Sequence, residues 1–241
     1  MLREFKADLH IHTCLSPCAE LEMSPRNIVI AAKQKGLHVI GICDHNSAEN
    51  VPAVKQNAQR EGIAVIGGME VTSREEVHLL ALLGSEASLS AFQEMIYAHL
   101  HGANDAQLYG EQVIVNAEEE VVGFSDRLLI GATDLSMEQL VDRIHALDGL
   151  AIAAHVDREG FGMIGQLGFI PRGLPLDALE VADPAKRESI PENSRWPFIT
   201  SSDAHRLEDV GKRVTTFWMQ AASTAEIRRC FSGEEGRAVR M

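Results

Sequence analysis

Short apolar runs of strand length recur at residues 7–12, 39–43, 64–67, 151–154, 178–181 and 198–201, and helical patterns with capping residues fill the intervals between them. Ser24-Pro25 sets an N-cap and a proline ahead of Ile28, Ala31 and Ala32, and Gly36 ends that helix. Ser136 and Gln139 form a capping-box pair in front of the apolar face Leu140, Val141, Ile144 and Leu147, which stops at Gly149. Ser223 and Glu226 repeat the device for Ile227, Cys230 and Phe231, while Ser90 is expected to open a helix that buries Phe92, Met95, Ile96 and Leu100. Residues 112–122 break the rhythm: two short strands around Ala117-Glu118-Glu119-Glu120 read as a hairpin, inside an insertion of about residues 103–132. Residues 235–241 read as a polar tail.

Strands alternating with helices call for a largely parallel sheet, and there are too many units here for a small open one. The expectation is a barrel or distorted barrel of the α/β class, a single domain over residues 1–241, since such barrels reach roughly 200–250 residues. With 45% hydrophobic and 24% charged residues the chain can bury a full core. No apolar run reaches about 18 residues and the first eight residues include the charged Arg3, Glu4, Lys6 and Asp8, which argues against membrane insertion and secretion. The balance of 22 Lys+Arg against 35 Asp+Glu gives a net charge of −13 with no basic run, which disfavours long nucleic acid as a partner. Cys14, Cys18, Cys43 and Cys230 then read as reduced thiols of a cytoplasmic protein.

The candidate chemistry sits where strands end. In Asp8-Leu9-His10-Ile11-His12-Thr13, strand alternation puts Asp8, His10 and His12 on one face and Leu9 and Ile11 on the other. The second strand runs into Asp44-His45-Asn46, the third into Glu70 with His78 soon after, another into His155, and the last into Asp203-Ala204-His205. Barrels of alternating strands and helices build their sites from the C-terminal ends of several strands, so these residues can converge on one mouth. Histidines with nearby carboxylates are the signature of bound transition metal.

In order and spacing, Asp8-Leu9-His10-Ile11-His12-Thr13, Asp44-His45-Asn46, Glu70, His78, His155 and Ser202-Asp203-Ala204-His205 resemble the motifs of the PHP (polymerase and histidinol phosphatase) phosphoesterases, from residue 8 to residue 205. The resemblance implies a distorted (β/α)7 TIM-like barrel with a small hairpin insertion and two or three divalent metal ions, Zn, Mn or Fe, at its mouth. It implies that His10, His12, Glu70 and Asp203 hold one ion, that Glu70 bridges to a second held with His78 and His155, and that His45 and His205 help to hold a third. The implied activity is hydrolysis of a small phosphate ester, a phosphomonoester or nucleotide-type substrate, by a metal-activated water, with Glu70, Asp203 and His205 as the catalytic residues. Asp8 and Asp44 are expected to orient imidazoles, and Arg158 occupies the position where similar enzymes place an arginine on the substrate phosphate. Lys186 and Arg187 are weaker candidates for that role.

The sequence departs from the pattern at Pro17, where family members often carry an acidic residue. Glu20 could supply the missing ligand, or Cys14 or Cys18 a thiolate. His38, His99, His101 and His145 lie outside the motifs and carry no assigned role. Two other readings remain: an amidohydrolase-like enzyme cleaving a C–N or lactone bond, whose bridging ligand is usually a lysine where this chain has Glu70, and a non-catalytic, metal-binding regulatory PHP domain.

Overall fold

The computed structural model of the protein describes residues 1–191 and 193–241. Eleven strands are present among them: β1 (Arg3–Ile11), β2 (Val39–Ile42), β3 (Ala64–Thr72), β4 (His78–Leu83), β5 (Val113–Val115), β6 (Val121–Phe124), β7 (Leu150–Ala153), β8 (Ala178–Glu180), β9 (Phe198–Ile199), β10 (Thr215–Met219) and β11 (Ala238–Arg240). The helices are α1 (Pro25–Gln34), α2 (Val51–Glu61), α3 (Glu86–His99), α4 (Ala106–Tyr109), α5 (Met137–Ala146), α6 (Met163–Leu167) and α7 (Thr224–Phe231). Nine strands form one barrel-like sheet in the order β11-β10-β1-β2-β3-β4-β7-β8-β9, and β5-β6 stand apart as a hairpin. The sheet nearly closes on itself. His12 N donates to Ala204 O (3.0 Å), and the Thr215 hydroxyl accepts from Thr200 N and donates to Thr200 O, both at 2.8 Å.

The barrel departs from strict alternation of parallel strands. β3 and β4 form an antiparallel pair in which Glu70 faces Leu80 and Thr72 faces His78, and β1/β10, β10/β11 and β4/β7 are antiparallel as well. The run 79–82, apolar at every position, is β4, buried throughout, and continuous burial hides the period-2 signal that marks a half-exposed strand. α3 begins at Glu86 with Ser85 as its N-cap, a turn earlier than Ser90 suggested. The capping box of Ser136 and Gln139 forms as the sequence indicates.

Two apolar layers follow from the strand faces. Ala7, Leu9, Val39, Cys43, Ile66, Leu80, Leu82, Leu150, Ile152 and Phe217 pack together in the barrel interior, and Ile40, Ile42, Val71, Leu79 and Leu179 pack outward with α1, α2, α3 and α5. Leu9 and Ile11 fall into different layers, because the β1–β2 register shifts between Asp8 and Ile11. Strict alternation therefore fails at this point. Gly41 permits the close approach: a Cβ there would lie 2.3 Å from the Leu9 carbonyl oxygen. Among the described residues no helix is long and apolar enough to cross a membrane.

The C-terminal residues are not a tail. Ala238–Arg240 pairs with β10 as β11, and the buried Arg237 grips Glu226 of α7 through Nε and Nη2, both at 2.9 Å. With Gln220 N also donating to it, the Glu226 carboxyl is held down to about 2 from its ordinary 4.5, chiefly by the Arg237 hydrogen bonds. A depressed folded value gives a contribution fully present above about pH 4.5 that is lost as pH falls through about 2. Glu226→Gln is expected to cost on the order of 1 kcal/mol, or about 2–4 °C in melting temperature, at neutral pH, and progressively less as pH falls through about 2. Thermal melts of both proteins across that range check it.

Candidate metal centre

Eight of the residues singled out by the sequence meet at one mouth of the barrel, seven of them near the C-terminal ends of strands and His78 at the N-terminal end of antiparallel β4. Glu70 is their hub: its Oε1 lies 2.8 Å from His78 Nδ1, 2.9 Å from His155 Nε2 and 3.5 Å from His10 Nε2, and its Oε2 lies 3.3 Å from His12 Nε2 and 3.2 Å from His45 Nδ1. Asp203 Oδ1 is 3.3 Å from His10 Nε2 and 3.2 Å from His12 Nε2. Potential ligand atoms lie within 4.8 Å of one another in three overlapping sets, His10/His12/Glu70/Asp203, His45/Glu70/His78 and His12/His45/His205. The antiparallel β3–β4 turn brings His78 back beside Glu70. Left-handed backbone at three non-glycine positions, Asn46 (φ 49°), His155 (φ 29°) and Asp203 (φ 52°), turns the chain sharply where β2, β7 and β9 deliver their side chains.

Proton bookkeeping shows what this cluster can hold. The Glu180 carboxylate can only accept, so His10 Nδ1 donates to its Oε2 at 3.0 Å and the neutral ring leaves a bare lone pair on Nε2. Ser16 gives its one hydroxyl proton to Asp44 Oδ1 at 2.7 Å and therefore accepts from His12 Nδ1 at 2.9 Å, which leaves His12 Nε2 bare too. The two Nε2 atoms face each other at 3.1 Å, flanked by two carboxylates. His205 Nδ1 donates to Asp203 O (2.9 Å), so its Nε2 is likewise unprotonated. Asp203 Oδ1, His45 Nδ1 and His155 Nδ1 are buried without a hydrogen-bond partner. Lone pairs packed this closely require a positive charge among them, and this donor set of imidazoles with carboxylates suits a divalent transition metal.

With protons alone the cluster supplies that positive charge on two of its own rings: burial opposes charge on His10 and His12, yet Asp203 and its fellow carboxylates push both upward, His12 to about 9, so a bound cation would take the place of their Nε2 protons. Burial lowers His45, and burial with His12 lowers His205 to about 4, so these two rings are neutral at ordinary pH. Burial works to raise Glu70, but the imidazoles of His78, His10 and His45 hold it well below the usual carboxylate range. The buried Cys14 thiol is pushed up to about 12 by burial with Asp44 nearby, Cys18 is exposed, and neither joins the three sets of potential ligands.

Several expected residues lie elsewhere. Glu20 does not join the cluster: its backbone N–H donates to His205 O (2.9 Å), but its half-exposed carboxylate turns out to pair with Arg206 at 3.0 Å. Arg158 is at the rim with Nη1 2.5 Å from Asp203 Oδ2, so it engages a cluster carboxylate as well as facing the mouth. Lys186 pairs with Asp157 at 4.0 Å and Arg187 lies over the Phe198 ring. Asp8 touches no imidazole and instead accepts from Ser202 N and Gly211 N, anchoring the loop of Asp203. Asp44 reaches His12 only through Ser16. Neither Glu180 nor Ser16 stood out in the sequence, though a lone glutamate closing an apolar strand was a legible signal for the first.

Residues 8–158 match the model of the PHP domain, and residues 188–231 that of the PHP-associated domain. The chain belongs to the PHP family. Among relatives of this PHP protein, Bacillus subtilis YqxK is 22% identical over 99% of this chain and 64% of its own length. The lesion-specific endonuclease Q of Pyrococcus furiosus shares the fold with a TM-score of 0.73 at 20% identity, covering 98% of this chain and 58% of that one. A Bifidobacterium adolescentis protein described as a metal-dependent phosphoesterase superposes with a TM-score of 0.60 at 19% identity, over 93% of this chain and 95% of that one. The chain thus spans about three-fifths of the first two. Endonuclease Q has also been seen in complex with a 27-mer duplex, so the fold itself does not exclude nucleic acid.

Proposed function

We propose that this PHP protein hydrolyses a small phosphate ester with divalent cations held in the cluster. The observation that carries the reading is the pair of Nε2 atoms of His10 and His12, 3.1 Å apart, which the Nδ1 bonds to Glu180 and to Ser16 with Asp44 leave free to face a cation, converging with Glu70 and Asp203. In this reading His10, His12, Glu70 and Asp203 hold one cation, Glu70 with His78 and His155 a second, and His45 and His205 line a third position. Bound there, such cations supply a water acidified toward neutral pH and neutralise charge on a phosphoryl group. The chain's own groups do the rest. Glu70, ionised and shared among five imidazoles, joins the positions; Asp203 presents Oδ1 inward and Oδ2 to Arg158; His205, neutral, offers its one Nε2 lone pair to the third position, or to a proton when that position is empty. Arg158 keeps further N–H donors for a substrate phosphate. The chain's net charge of −13 favours a small ester over a polymer.

Elemental analysis after expression in metal-supplemented medium should find two or three equivalents of metal. A panel of phosphate esters, duplex DNA, amides and lactones, tested with Mn, Zn and Fe in oxygen-18 water, should then label released phosphate from a small ester. Turnover of an amide or lactone alone sinks the reading. At saturating metal, which offsets any weakening from the lost Arg158–Asp203 contact, Arg158→Ala is expected to be fully loaded while kcat/KM falls about 10–100-fold, and Arg158→Lys to recover only part, because an ammonium cannot reproduce a two-pronged guanidinium contact. Wild-type kinetics in Arg158→Ala would place the phosphate elsewhere on the rim.

A further inference from the structure

One aromatic ring lies open at the same mouth. Phe161, 42% exposed, stacks on the His78 imidazole with ring centroids 4.5 Å apart and planes 18° from parallel. Its carbonyl oxygen accepts from His78 N at 3.0 Å, which ties the loop to the first residue of β4. The backbone at Phe161 is left-handed (φ 57°), an uncommon state for a bulky residue, and Gly162 follows it. A Cβ at 162 would lie 2.4 Å from Arg158 O and 2.8 Å from His155 O, so the loop is wound too tightly for any other residue there. Hydrophobic cost would normally favour turning a phenylalanine inward. Here the winding holds it out, with one face on His78 and part of its surface in solvent. Arg158, three residues earlier, reaches Asp203 across the mouth.

We propose that Phe161 is a stacking platform for a planar aromatic group carried by the phosphate ester, so that the substrate class is esters bearing a nucleobase or aryl ring. This deepens the phosphoesterase reading and rests on it. A phosphate held between the cluster and Arg158 leaves its ester group beside the Phe161 ring, and base-on-aromatic stacking tolerates any planar ring. A second role for the same contact, shielding His78 from water, predicts a different experimental pattern.

The test compares adenosine 5′-monophosphate with ribose 5-phosphate, which share the phosphoribosyl unit and differ in the base. Affinities are measured by calorimetry on the manganese-loaded protein, alongside phosphate release. The wild type should bind the nucleotide about 10-fold more tightly. That ratio should fall toward one in Phe161→Leu and persist in Phe161→Tyr, with manganese content the same in all three. Equal affinities in the wild type, no binding of either compound, or a ratio that survives Phe161→Leu would each overturn the proposal. Loss of manganese in Phe161→Leu with the ratio intact would identify the shield instead. Preferential binding of the nucleotide with no phosphate ester hydrolysed would leave the platform standing and remove the phosphoesterase reading; equal use of both compounds would do the reverse.

Discussion

Glu70→Gln should strip the protein of metal and of activity together. The side chain keeps its shape in this variant, so the loss isolates the charge. Glu70 is within 3.5 Å of ring nitrogens from His10, His12, His45, His78 and His155, and its carboxylate supplies the negative charge shared by two of the three sets of potential ligands. Two dications sharing a neutral amide repel each other with nothing between them to offset it. Removing a group that merely orients a ligand already costs 10–100-fold in metal affinity, so removing a bridging ligand should cost at least about 100-fold. Thermal unfolding gives a readout independent of turnover. Metal at 100 times its dissociation constant adds about 2.7 kcal/mol to the folded state, roughly 5–10 °C for a chain of this size. The wild type should show that shift on adding Mn or Zn, and Glu70→Gln should not. A variant that binds metal in wild-type amounts would remove Glu70 from the bridging role.

What the sequence displayed and what it concealed divide along a physical line. Motif residues at strand ends were legible because a strand feeding a polar residue at its C-terminal end is a local pattern, and His10, His12, His45, Glu70, His78, His155, Asp203 and His205 do come together. The directions of side chains in loops were not legible. Glu20 has its backbone against His205 and its carboxylate on Arg206, a choice made by a neighbour 186 positions away in the chain. The β1 register shift likewise depends on how closely Gly41 lets a second strand approach, and it sends Asp8 to the loop of Ser202 and Gly211 rather than to an imidazole. Antiparallel β10 and β11 were missed because a mixed sheet needs pairing information that periodicity does not contain, and Arg237 reads as one more tail charge until its partner Glu226 is known. Periodicity sees one element at a time.

Glu180 tests the deepest of these hidden dependencies. Its Oε2 accepts from His10 Nδ1 at 3.0 Å and from His155 N at 3.1 Å, so one buried carboxylate sets the tautomer of one candidate ligand and the backbone position of another. It stays ionised there although burial favours the neutral acid, because His10 pulls the other way. In Glu180→Leu the His10 ring has no acceptor for Nδ1–H and is free to carry its proton on Nε2, where the lone pair should be. Metal affinity is therefore expected to fall 10–100-fold. Glu180→Gln keeps a carbonyl oxygen able to accept from Nδ1, loses the charge, and should fall between Glu180→Leu and the wild type. Competition with a chromophoric chelator measures both affinities directly. Activity should return in both variants at saturating metal, since Glu180 touches neither substrate nor, in this reading, a cation. Wild-type affinity in Glu180→Leu would show that the His10 ring is fixed by its packing alone, and failure to recover activity at saturating metal would place Glu180 in the reaction itself.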